Sequence, residues 1–193
     1  LRLSFGFVGL LAAACSGGQA GTPPPAAAPA GGSKDVLVYE RVVRGNQDIY
    51  LAPAGGGEER RLTDDPAVDG LPRWTPDGSG IVFASERSGN WQLWEVGPQA
   101  GPARRLRTNG NREWQADVSR DGRRLAFLSN QDGPESLWLM DLPAGAARML
   151  VRHGRRTVFG NPHWSPDGRR LVYSSNHGVG HQIYVVDVVS GEE

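Results

Sequence analysis

From residue 35 onward the apolar residues come in short bursts, each following a turn. Ile81-Val82-Phe83, Leu125-Ala126-Phe127 and Leu171-Val172-Tyr173 are runs of buried-strand length. The turns before them are Trp74-Thr75-Pro76-Asp77-Gly78, Val118-Ser119-Arg120-Asp121-Gly122 and Trp164-Ser165-Pro166-Asp167-Gly168. Ser or Thr, then Pro, Asp and Gly fit a type I turn. Proline presets φ at the second position and glycine closes the fourth. Arg120 stands in for proline in one copy. Each copy therefore reads as strand, tight turn, strand.

Fixed offsets make these copies a repeat. The aromatics Tyr39, Phe83, Phe127 and Tyr173 are 44, 44 and 46 residues apart. An apolar pair starts 10 residues after each: Ile49-Tyr50, Leu93-Trp94, Leu137-Trp138 and Ile183-Tyr184. Arg61-Leu62, Arg105-Leu106 and Arg148-Met149 mark a further segment in three copies. No helical period is sustained here, because Gly and Pro interrupt any window long enough for one. Each unit thus predicts four short strands, a to d. Units of about 40–45 residues with four strands are the mark of a β-propeller blade. The expected fold is all-β, with antiparallel four-stranded blades over about 35–65, 66–108, 109–152 and 153–193.

The first unit begins at strand b, with Val36-Leu37-Val38-Tyr39, and the last ends before strand d. The expected inventory is three, four, four and three strands in an incomplete ring. Two readings follow: the chain is the N-terminal part of a longer protein, or four blades close or pair with a second copy. An open ring exposes apolar ends and strand edges, which favours the first reading and predicts association of the isolated chain.

The Trp-Ser-Pro-Asp-Gly turn, the apolar strand after it, the Ile-Tyr strand and the ending Arg61-Leu62-Thr63 resemble the repeat of the TolB-type propeller. The resemblance covers Asp35 to Glu193. It implies a binding or scaffold module of the bacterial envelope, without catalysis. It also implies an envelope protein, such as a peptidoglycan-associated lipoprotein, or an envelope polymer as partner. Similar repeats form the propeller of some prolyl oligopeptidase-type peptidases. The alternative is therefore an N-terminal propeller of a larger hydrolase or carbohydrate-active enzyme, because a propeller hosts many activities.

The N-terminus changes the expected location. Residues 1–15 combine Arg2, a short apolar stretch and Ala12-Ala13-Ala14 before Cys15. This resembles a lipoprotein signal, with Cys15 as the lipid attachment site; an ordinary secretory signal is the alternative. Residues 16–34 are Gly-, Pro- and Ala-rich and predict a disordered tether. The expectation is a periplasmic lipoprotein anchored to a membrane, the outer one by resemblance. Several acyl chains on one cysteine would hold stably.

Composition mainly excludes. Lys plus Arg and Asp plus Glu both number 21, a balance that gives no support to nucleic-acid binding, which wants a basic face. One cysteine permits no internal disulfide framework. In a meander the a–b and c–d turns share one face, and the b–c loops and d–a connectors share the other. The second set varies between units, so it is the expected binding face. Its candidate residues are Arg87, Asn90, Asn130, Asp132, Arg155, His177 and His181, and reversing Arg87 or Arg155 should weaken binding while sparing the fold. His177 and His181 flank a Gly-rich loop with no third ligand evident, and His153 and His163 fall in other segments. No metal or cofactor is expected. Ser165 reads as a turn residue, with no nucleophile elbow around it. Trp74, Trp94, Trp138 and Trp164 sit at repeat positions and should be core, whereas Trp91 and Trp114 are expected to be exposed or at an interface.

Overall fold

The computed structural model describes residues 36–193 except 108, 144, 155, 156 and 179. The signal, the tether, Cys15 and Arg155 lie outside the described residues. The described chain is strands and turns, in four antiparallel sheets. The first sheet holds β1 (Val36–Val43), β2 (Asn46–Pro53) and β3 (Arg60–Arg61). The second holds β4 (Asp69–Trp74), β5 (Ile81–Ser85), β6 (Gln92–Val96) and β7 (Arg104–Arg105). The third holds β8 (Glu113–Val118), β9 (Arg124–Ser129), β10 (Ser136–Asp141) and β11 (Ala147–Val151). The fourth holds β12 (Phe159–Trp164), β13 (Arg170–Ser175) and β14 (Gln182–Asp187). The inventory is the expected one.

The turns form as their side chains dictate. Thr75 Oγ1 donates to Asp77 Oδ1 at 2.6 Å, and that carboxylate accepts the Ser79 N–H at 3.0 Å. Ser119 with Asp121 and Ser165 with Asp167 repeat the 2.6 Å bond. Gly78, Gly122 and Gly168 have φ near +70°, a region that glycine enters without steric cost. Arg120 leaves this geometry unchanged, because the Ser–Asp–Gly bonds close the turn without proline. The same bonds hold the carboxyls of Asp77, Asp121 and Asp167 below the usual range, the Thr75, Ser119 and Ser165 hydroxyls being the largest cause.

Each inner strand carries a feature that the sequence pattern does not show. The register of β4, β8 and β12 slips between Gly70 and Arg73, Trp114 and Asp117, and Gly160 and His163. Within those bulges Leu71, Gln115 and Asn161 have φ of 56°, 47° and 49°. The exposed N–H groups are taken by the preceding blade: Leu71 donates to Glu40 Oε2 at 2.8 Å and Asn161 to Gln115 Oε1 at 2.9 Å. The bulges therefore stitch inner strands together, and β4 lies beside β8, and β8 beside β12.

The core lies between blades, in three layers. Ile49, Leu51, Ile81 and Phe83 pack between the first and second blades. Val82, Leu93, Phe127 and Trp138 pack between the second and third, and Leu128, Leu137, Leu171 and Tyr173 between the third and fourth. Trp74, Trp94 and Trp164 pack against these layers, as expected of core. Trp91 also packs inward, and Trp114 touches both the second and third layers. These two indoles seal joints between blades. The two ends of the stack stay open: Leu37 and Val42 are exposed on the first blade, and Ile183 and Val189 on the last.

Candidate binding face

The b–c loops and d–a connectors meet on one face, where each loop is hydrogen-bonded to the connector beside it. Glu86 N–H donates to Val68 O at 3.0 Å, and Asn90 Nδ2 to Gly110 O at 3.2 Å. Arg112 N–H donates to Asn130 Oδ1 at 3.0 Å, and Val158 N–H to Asn176 Oδ1 at 2.7 Å. The first blade has only a short b–c connection. Its strands run on to a two-residue turn, Arg44-Gly45, both with positive φ.

Beneath the loops, the second, third and fourth blades cap the strand-b aromatic with a polar cluster built from equivalent positions. In the second blade Arg87 lies over Phe83 and Trp94, 5.3 and 4.9 Å from the ring centroids. Its Nη2 donates to Asp69 Oδ2 at 2.7 Å, and the Asp69 side chain has no exposure. In the third blade Arg107 lies 5.3 Å over Phe127 and donates to buried Glu113 at 2.6 Å and to Gln131 at 3.1 Å. Burial pushes the Glu113 carboxyl up despite that arginine and Asn109. Glu135 is also pushed up by burial, while accepting the Phe159 N–H at 2.7 Å.

The fourth blade replaces these groups. His153, His177 and Phe159 occupy the positions of Arg107, Gln131 and Glu113, counted from the strand-b aromatic. His153 stacks on Phe159 at 5.2 Å and on His177 at 3.6 Å. A carboxylate arrives from elsewhere in the chain: Glu193 Oε1 lies 3.0 Å from His153 Nε2, and Oε2 lies 3.7 Å from His177 Nε2. The Tyr173 hydroxyl also donates to Glu193 and is held well above its ordinary range, burial being the first cause. Burial lowers the His153 pKa, against the raising effect of Glu193.

The predicted site residues therefore part company. Arg87 is internal wiring, so the expectation that its reversal spares folding is corrected: its guanidinium compensates a fully buried carboxylate. Asn90 and Asn130 hold loops in place. Asp132 and His181 stand exposed on the face. His177 has a third neighbour after all. His153 and Glu193, rather than His181, join it, and one ligand atom from each of the three lies within 4.8 Å of the others. Aligning repeat positions would have shown that 153 and 177 meet, because both fall on this face; nothing in the spacing points to Glu193.

The opposite face holds a groove of about 230 Å³ between the second and third blades, lined by residues including Asp77, Glu95, Arg104 and Leu142. It is smaller than most small-molecule sites, which run to about 300–1,000 Å³.

Comparison with known proteins places this architecture. "Tol-Pal system protein TolB" of Bordetella pertussis is 46% identical over 56 residues, covering 28% of this chain and 13% of that protein. The crystal structure of TolB from Acinetobacter baumannii superposes with a TM-score of 0.72 at 23% identity, covering 81% of this chain and 39% of that one. A puromycin hydrolase mutant superposes with a TM-score of 0.64 at 20% identity over 86% of this chain and 27% of that one, a likeness of fold alone. This chain thus spans well under half the length of each. The sequence pattern of the TolB beta propeller domain matches residues 16–193, and the chain belongs to that family.

Proposed function

We propose that the chain is a non-catalytic binding module of the bacterial cell envelope, presenting its b–c loops and d–a connectors to a protein or envelope polymer. The observation that carries this reading is the way the face is built. Its loops are locked to neighbouring connectors by hydrogen bonds, a pre-organised surface on a rigid scaffold, in a chain of the TolB propeller family. The similarity to a protein of the Tol-Pal system supports a partner from that system, and supports the periplasm as location. Cys15 would carry the lipid anchor and residues 16–34 the tether that holds the propeller off the membrane.

The test is binding of the purified chain to the peptidoglycan-associated lipoprotein from the same genome, by biolayer interferometry. Asp132→Lys and His181→Glu change exposed loop residues and should each weaken capture about tenfold, equivalent to about 1.4 kcal/mol, with unchanged thermal melts. Capture unaltered by both would refute the assignment of this face. In cells, Cys15→Ser should abolish acyl labelling and release the chain from the membrane fraction.

A further inference from the structure

We propose that His153, His177 and Glu193 form a binding site for a divalent first-row transition metal ion of the zinc class.

Two imidazoles and one carboxylate are ligands that zinc and its neighbours accept, and three protein ligands leave a position for water. Donors bound at about 2.0–2.1 Å around a tetrahedral ion sit roughly 3.3 Å apart. The histidine–glutamate separations, 3.0 Å to Oε1 and 3.7 Å to Oε2, lie either side of that value, and one donor atom from each of the three residues lies within 4.8 Å of the others. The three side chains are 15%, 23% and 27% exposed, sheltered yet reachable.

The surroundings orient the donors. Ser175 Oγ lies 3.2 Å from His177 Nδ1, which leaves Nε2 to face Glu193. The Tyr173 hydroxyl donates to Glu193 and lies 3.2 Å from His153 Nε2. The Ser175 contact, made to the ring nitrogen that faces away from Glu193, is the second-layer kind that fixes imidazole orientation at metal sites. The rings of His153 and His177 are stacked with 18° between their planes, so one must turn before both lone pairs meet one ion.

The repeat supplies the electrostatic reason. In the second and third blades a guanidinium sits above the aromatic and neutralises a carboxylate. In the fourth blade the carboxylate of Glu193 is present at the cap, but the equivalent positions carry no permanently charged side chain. A bound cation restores the charge that arginine supplies in the other blades.

The experiment is isothermal titration of Zn²⁺ into the full chain carrying Cys15→Ser, which removes the single thiol. One saturable site is expected. His177→Gln and Glu193→Gln should each weaken it by more than about tenfold. His163→Gln, which alters a histidine near Asp117 instead, should leave it within about twofold. Co²⁺ should give the intense visible absorption of a tetrahedral site, lost in His177→Gln. Melts in chelator check that each variant folds. The absence of a saturable site, or equal affinity in the His177→Gln and parent chains, would overturn the proposal. So would loss of binding on His163→Gln alone. None of these outcomes depends on the partner-binding reading of the face.

Discussion

Replacing Arg87 with Met tests how the caps hold the blades. The substitution keeps the length of the side chain and removes its charge. Asp69 Oδ2 loses its 2.7 Å partner, and Asp69 Oδ1 is buried without a side-chain or backbone hydrogen bond. A carboxylate with no exposure is then left uncompensated, an event that costs about 3–5 kcal/mol. Loss of the cation over Phe83 and Trp94 adds about 0.5–1 kcal/mol at each ring. For a domain of this size the midpoint of thermal unfolding should fall on the order of 10 °C. The decisive variant is the double one. Arg87→Met with Asp69→Asn removes the stranded charge and should recover about 2 kcal/mol or more relative to Arg87→Met alone. Urea unfolding followed by tryptophan fluorescence measures both, with Trp94 as a probe next to the site. A single variant within about 0.5 kcal/mol of the parent would refute the reasoning, as would a double variant whose loss equals the sum of the two singles.

One repeat position isolates the role of the neighbouring blade. Ile49, Leu93 and Leu137 are 0%, 1% and 0% exposed, whereas Ile183 is 69% exposed. Leu137→Ala should cost about 2–5 kcal/mol in urea unfolding and Ile183→Ala less than about 0.5; equal costs would refute the layered core. Titration by NMR should place the carboxyls of Asp77, Asp121 and Asp167 below 3.8 and that of Glu113 above 4.5. The sign follows. The depressed aspartates stabilise the fold above pH 3.8 and lose that contribution as pH falls through their folded values. Glu113 does the reverse: its burial penalty is absent below pH 4.5 and grows as pH rises through its folded value. The opposite order of titration would refute both assignments.

The legible parts were those written within a single unit. The Ser-Asp-Gly turns are closed by residues two to five positions apart, so Thr75, Asp77 and Gly78 announce them directly. The bulges at Leu71, Gln115 and Asn161 were illegible, because non-glycine residues hold positive φ there and the N–H partners of Leu71 and Asn161 lie 31 and 46 residues away. Arg87 looked like a surface cation because its counter-ion, Asp69, precedes it by a strand, a turn and a strand.

The sequence by itself determined the blade: a period near 44 residues, four strands per unit, and the turns that reverse them. These are local consequences of backbone preference and of apolar residues recurring in register. Only the tertiary structure decided which polar groups are surface and which are structural. Stacking the blades buried Asp69 and Glu113 beneath arginines, and it brought His153, His177 and Glu193 from three separate segments to one point. The physical reason is that a charge placed by a loop acquires its role from the field of the neighbouring segments, and those neighbours are chosen by packing between sheets.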